Sequence, residues 1–208
     1  MILIANKRQK PENILKKYPG AILSDVTSVA KDGLIKLSPF YPHYGIPVPF
    51  TERMTATCVE AIWQGLKVFE YADVDVQMFQ NDTMKNIKRT VRRFGVPLGH
   101  RKGVYGTELL GYIEARKQIY IPAYRWVLEN KVYHIIERLR EASRTKTIIL
   151  LDYDTNADVE NVKKPLSHAS LVKAYAEGIY PYEDAHGIDT KQNQSENKHI
   201  IEQKLFNL

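Results

Sequence analysis

Four prolines, at positions 39, 42, 47 and 49, sit within residues 37–50 (LSPFYPHYGIPVPF) and constrain this chain more than any other feature. Each lacks a backbone N–H and holds φ near about −65°, so the stretch can form neither a regular helix nor an unbroken strand ladder. It reads as a stiff loop that carries Phe40, Tyr41, Tyr44 and Phe50. Rigid, aromatic loops suit the stacking of a planar ligand. Packing of the same rings onto the core is the competing reading.

The segments on either side follow helix and strand periods. Residues 2–6 are short and aliphatic and read as a strand. A helix over 11–17 starts with proline in its first turn and is closed by Pro19-Gly20. Strands are expected at 21–26 and 34–37, the second after an Asp32-Gly33 turn. Residues 57–70 read as a helix whose apolar face is Val59, Ile62, Trp63, Leu66 and Phe69. A helix over 83–94, capped by Asp82, would turn Met84, Ile87, Val91 and Phe94 inward. Helix with a break at Pro122 is expected over 106–130, a further helix over 131–143, a buried strand over 147–151 and a last helix over 167–177. The fold class that follows is α+β, a predominantly helical single domain with a small sheet spanning residues 1–181. Residues 182–208 read as a polar tail, and their end, HIIEQKLFNL, is faintly amphipathic.

Composition narrows the function classes. With 44% hydrophobic and 26% charged residues, the 208-residue chain has the make-up of a globular protein rather than a disordered or fibrous one. No apolar run approaches the roughly 20 residues of a membrane span. The one cysteine, Cys58, rules out an internal disulfide, and the six histidines show no metal-ligand spacing. A cytoplasmic protein with no metal and no cofactor is the expectation. The net charge of +6 is unevenly spread: Lys85, Lys88, Arg89, Arg92, Arg93, Arg101 and Lys102 lie in one stretch that holds no carboxylate.

Chemistry concentrates on the helix over 57–70. Glu60, Gln64 and Lys67, at i, i+4 and i+7, share a stripe beside Trp63. A carboxylate, an amide and an amine beside a large ring can hold a sugar and act at its anomeric carbon. The structural alternative is a capping box over Thr57-Cys-Val-Glu60, with Gln64 and Lys67 in solvent.

The run Cys58-Val-Glu60-Ala-Ile-Trp63-Gln64-Gly-Leu-Lys67-Val-Phe69 resembles the signature helix of the NADAR family of N-glycosidases, approximately Ser-Val-Glu-His-x-Phe-Gln-x-x-Lys-x-Phe. Upstream, Leu37-Ser38-Pro39-Phe40-Tyr41-Pro42 resembles that family's Leu-Ser-Asn-Phe-Tyr-Pro loop. The resemblance implies an α+β fold and hydrolysis of a C–N bond between ribose and a base or base-like amine. Its substrates would be a ribosylated nucleotide metabolite or ADP-ribosylated guanine in DNA. It makes Glu60 the first catalytic candidate and Lys67 the second, as an electrostatic anchor or an amine able to form a Schiff base. Trp63 and Gln64 would stand beside them, with Ser38, Phe40 and Tyr41 walling the pocket.

Ala61 replaces the histidine of that signature, and the family's later Asp-x-x-Trp-Gly element has no literal counterpart. In its place, Asp152, Asp154 and Asn156 leave the end of the 147–151 strand, where catalytic carboxylates are often displayed. Asp152 and Asp154 are the catalytic candidates there, and Asn156 a substrate-binding one. Ser167-His168 at the next helix start is a candidate phosphate site. Arg89, Arg92 and Arg93 are candidates for anchoring phosphate. A solvated αβ loop and a solvated helix face are the plain alternatives for these two groups. From another class, a noncatalytic nucleotide- or nucleic-acid-binding domain would use the basic residues 85–102, and an interaction protein would dock a partner through its tail.

Overall fold

The N-terminal aliphatic segment forms β1 (Ile2–Asn6), which pairs in parallel with a strand almost 150 positions away, β8 (Ile148–Asp152). On the other side of β8 lies β2 (Ile22–Asp25), also parallel, so the sheet order is β1-β8-β2. A strand flanked on both sides has little solvent to face, and β8 is correspondingly continuous in apolar residues. The computed structural model describes residues 1–181. The polar tail expected at 182–208 lies outside the described residues.

Helix α1 (Pro11–Lys17) joins β1 to β2 with proline in its first turn, as expected. Residues 34–37 depart from the sequence reading. They belong to a 3₁₀ turn, Gly33–Leu37, because the Asp32 carboxylate accepts the Leu34 N–H at 2.9 Å and starts a turn. The proline-rich stretch that follows is irregular except for β3 (Ile46–Pro47), which pairs antiparallel with β4 (Thr55–Ala56).

The expected helix over 57–70 is cut at both ends. Helix α2 runs Val59–Gly65, with Cys58 as N-cap, its Sγ accepting the Ala61 N–H at 3.3 Å. It cannot extend past Gly65 because the 3₁₀ turn Val76–Gln80 packs against it. A Cβ at Gly65 would lie 2.3 Å from Cε1 of Phe79. The chain turns at Leu66 into β5 (Lys67–Phe69), the first strand of an antiparallel sheet with β6 (Pro97–Arg101) and β7 (Leu109–Leu110).

Only the end of the helix expected over 83–94 forms, as α3 (Val91–Phe94). Asn81 and Thr83 explain the loss. The Asn81 side chain accepts from the Thr83 N–H and hydroxyl, and Thr83 Oγ1 accepts the Lys85 N–H. These local bonds compete with helix, and Met84 and Asn86 take left-handed φ values of 58° and 55°. From residue 87 to 90 burial alternates, with Ile87 and Arg89 in and Lys88 and Thr90 out.

Residues 106–130 become helical only from Tyr112. Helix α4 (Tyr112–Ala115) passes through a π turn (Arg116–Tyr120) into α5 (Ile121–Asn130). Pro122 provides the cause: it offers no N–H to the preceding turn and its ring crowds the carbonyl four residues back, which widens the turn before it. Helix α5 is the centre of the core, with Ile121, Ala123, Tyr124 and Leu128 fully buried. Helices α6 (Tyr133–Thr145) and α7 (His168–Ala176) pack beside it and against the parallel sheet. The architecture is thus α+β, with three small sheets in place of the one expected. No helix among the described residues is long and apolar enough to cross a membrane.

Candidate active site

The carboxyl ends of β2 and β8 face the N-terminus of α2 across a cleft of about 530 Å³. The crevice outside the carboxyl ends of parallel strands is where open α/β sheets bind ligands. Ten of the sequence-derived candidates line it: Ser38, Phe40, Glu60, Trp63, Gln64, Lys67, Arg89, Asp152, Asp154 and His168. They come from five separated segments, which only the tertiary fold brings together.

Glu60 sits in the first turn of α2 and is 8% exposed. It does not serve a capping box: the Thr57 N–H bonds Phe79 O and the Thr57 hydroxyl bonds Asn81 O. Instead Gln64 Nε2 donates to Glu60 Oε1 at 2.8 Å. The amide is fixed from behind, since Gln64 Oε1 accepts the Arg89 N–H at 3.1 Å. Burial pushes the Glu60 carboxyl above the usual carboxylate range, against the opposing pull of Gln64, Lys88 and Lys67.

Lys67 is on β5 rather than on the helix, yet reaches the same cleft. Its ammonium lies 5.3 Å from the Phe69 ring centroid, and no carboxylate ion-pairs with it among the described residues. Burial pushes its pKa down; Glu60 draws it back up and Arg89 adds to the depression. Trp63 is held by rings, with His100 at 3.8 Å and Tyr112 and Tyr120 edge-on at 5.9 and 5.7 Å. The buried His100 makes no well-formed hydrogen bond at either ring nitrogen among the described residues, and burial, then Lys67, push its pKa down to about 3 against a weaker pull from the Trp63 main chain. Phe40 forms the facing wall, with Lys88 Nζ 5.9 Å from its ring centroid. Ser38 turns the loop by accepting the Phe40 N–H at 3.3 Å.

The two aspartates differ sharply. Asp152 Oδ1 accepts the Tyr153 N–H, while Oδ2 takes the Ser167 hydroxyl at 2.7 Å, the Ala169 N–H at 3.3 Å and lies 3.1 Å from His168 Nδ1. His168 Nε2 in turn donates to Val26 O at 2.8 Å. This junction ties α7 to the ends of β8 and β2. Burial opposes ionisation of Asp152, but the bonds from His168, Ser167 and Ala169 hold its pKa below the usual range. All of these contacts are within the protein, so the Asp152 carboxylate holds the junction together. Ser167 and His168 are likewise committed and do not form the expected phosphate site. Asp154 lines the cleft with no hydrogen-bond or ion-pair partner among the described residues.

Four candidates fall outside the cleft. Tyr41 packs on His43, with ring centroids 4.9 Å apart. Arg92 and Arg93 are exposed on α3. Asn156 stitches its own loop, its side chain bonding Asp158 O at 3.0 Å and Asp158 N at 3.2 Å. Arg89 reaches the cleft wall, but its guanidinium donates to the carbonyls of Gln64, Lys67 and Asp73 between the rings of Phe69 and Phe94. It is a structural clamp: three of its donors are spent on those carbonyls, and its Nε has no partner among the described residues. The basic stretch 85–102 is not one helix face either: Arg101 pairs with Asp73 and Lys102 with Glu108 on the β5-β6-β7 side.

Sequence reasoning missed Tyr112, Arg116 and Tyr120, which line the cleft from the α4–π turn. Their spacing of four inside an expected helix was the available signal. Arg116 is saturated by the Val159, Asn161 and Lys164 carbonyls and the Tyr112 hydroxyl. Cys58 is buried as a helix cap, and burial pushes its thiol up to about 11, which disfavours the thiolate a nucleophile needs. No curated protein matches the chain. A model for a family of unknown function matches residues 6–172, a span that includes every residue lining the cleft, and the chain belongs to that family, DUF6939.

Proposed function

We propose that this protein is an N-glycosidase, a divergent relative of the NADAR enzymes, that hydrolyses the C–N bond between ribose and a base or base-like amine. The observation that carries the reading is Glu60. It is a buried carboxyl, oriented by Gln64, in an aromatic cleft that also holds a lysine and a second carboxylate without ion-pair partners among the described residues. A buried acid whose desolvation outweighs the pull of its partners is a liability for stability, and such groups cluster at sites of chemistry.

The cleft has room for a nucleotide-like ligand, with Trp63 and Phe40 as walls for the planar base. As the C1′–N bond breaks, positive charge develops on the ribose, and the Glu60 carboxylate stabilises it and takes a proton from the attacking water. Water supplies the hydroxyl to C1′, and its proton ends on the departing base. Lys67 and Lys88 supply the positive charge for a phosphate, a role that Arg89, Arg92 and Arg93 are not placed to fill. The substrate is a ribosylated nucleotide metabolite or ADP-ribosylated guanine in DNA.

The test is base release from a panel of ribosides, nucleotides and ADP-ribosylated oligonucleotides. Wild type should release base, and Glu60→Gln should be slower by about 100-fold or more with its circular dichroism unchanged. Failure of the folded wild type to release base from any member, or full activity in Glu60→Gln, overturns the reading.

A further inference from the structure

The cleft holds a polar group that the reaction above leaves unused, the hydroxyl of Tyr120. Its ring is fixed on two sides, edge-on to Trp63 at 5.7 Å and stacked on Tyr124 at 6.2 Å. The hydroxyl itself has no hydrogen-bond partner among the described residues. The neighbouring Tyr124 and Tyr180 hydroxyls both donate to main-chain carbonyls, of Leu37 and Ile121. The Tyr120 hydroxyl therefore lines the cleft uncommitted to the protein, within reach of whatever binds there.

The backbone is shaped to put it there. Four residues of α-helix overshoot a full turn by about 40°, so Tyr112, Arg116 and Tyr120 in a plain helix would fan across about 80°. The wider π turn at Arg116–Tyr120 undershoots instead and draws Tyr120 back onto the cleft face. Such turns are frequent at functional sites.

We propose that Tyr120 is a catalytic residue of the N-glycosidase reaction, donating a hydrogen bond to the base nitrogen as it leaves C1′. This rests on the activity proposed above. Burial raises the phenol well above its ordinary range, and Glu60, Tyr124 and Asp152 add to that, so the group holds its proton throughout. It stabilises the electron pair that the base nitrogen takes from the breaking bond. The proton that neutralises the base is the one Glu60 removes from water. Tyr120 is adjacent to Trp63, where the base would stack, while Glu60 faces the sugar.

The experiment compares Tyr120→Phe with wild type on a purine riboside, whose base leaves as an anion, and on nicotinamide riboside, whose base leaves neutral. The expected result is a fall in kcat of about 100-fold on the purine riboside with KM little changed, and a loss of less than about threefold on nicotinamide riboside. Tyr124→Phe is the control: it should lower thermal stability and show no such dependence on the leaving group. Equal losses on the two substrates, or no loss on either, overturn the assignment of Tyr120 while leaving the N-glycosidase reading intact. Absence of base release by the wild type overturns both. Because the deleted hydroxyl has no protein partner, Tyr120→Phe should fold at least as stably as wild type; a drop in melting temperature matching that of Tyr124→Phe would show a structural role and also sink the proposal.

Discussion

Glu60 and Arg89 touch the same glutamine and mark opposite ends of the trade between stability and chemistry. The folded pKa of Glu60 is raised by burial, so its cost is absent at acid pH, where folded and unfolded chains are both protonated. As pH rises from the ordinary carboxylate value through the raised one, the unfolded chain releases a proton that the fold retains, and stability declines. Glu60→Gln keeps an acceptor for Gln64 and removes that decline. Its melting temperature should exceed that of wild type at pH 8 and converge with it toward pH 4. A variant less stable than wild type at pH 8 would mark Glu60 as a structural ion-pair partner. Arg89 gives the opposite result. Arg89→Ala leaves the carbonyls of Gln64, Lys67 and Asp73 without their donor in a buried site, which should cost about 3 kcal/mol or more in chemical denaturation. Composition and spacing could not separate Arg89 from Arg92 and Arg93, because an arginine in a basic run reads the same whether its guanidinium faces solvent or the main chain.

At the scale of elements, the short aliphatic strands and the amphipathic helices at 131–143 and 167–177 were legible because burial on one face imposes a period. The pairs β1-β8 and β2-β8 were not, since nothing local tells a strand which distant strand it will join. Three helices were read too long, because a 3.6-residue period is necessary for a helix but does not fix its length. Val59, Ile62 and Leu66 keep to it, yet α2 ends where Phe79 approaches Gly65. Gly65→Ala places a methyl inside that ring and should destabilise the protein by about 1–3 kcal/mol. Phe79→Leu in the same chain should recover part of that loss in a double-mutant cycle. A purely additive outcome would mean the ring is not what stops the helix.

Across the whole molecule, the junction of Asp152, Ser167 and His168 joins the parallel sheet to α7 and sets one side of the cleft. The folded pKa of Asp152 lies below its ordinary value, so its contribution is present above the usual carboxylate range and is lost as pH falls through the depressed value. Asp152→Asn should cost about 2 kcal/mol at pH 7, and the gap from wild type should close under acid. A gap that stays constant with pH would show that hydrogen-bond geometry, and not charge, holds the junction. The same junction explains why two aspartates one residue apart differ in availability: β8 ends at Asp152, whose side chain is captured by α7, and Asp154, beyond the strand, is left open to the cleft.

The sequence by itself determined the class of fold, the stiffness of the 37–50 loop and the proximity of Glu60 to Gln64, because each follows from local sterics or from a helical repeat. Tertiary structure decided which groups remain available to a ligand. Lys67 reaches the cleft from a strand, Tyr120 from a π turn, and Arg89 and Asp152 are withdrawn by partners far away in the chain. Availability depends on whether a polar atom has already met its partner, and those partners are chosen by packing over long separations, which no local pattern encodes.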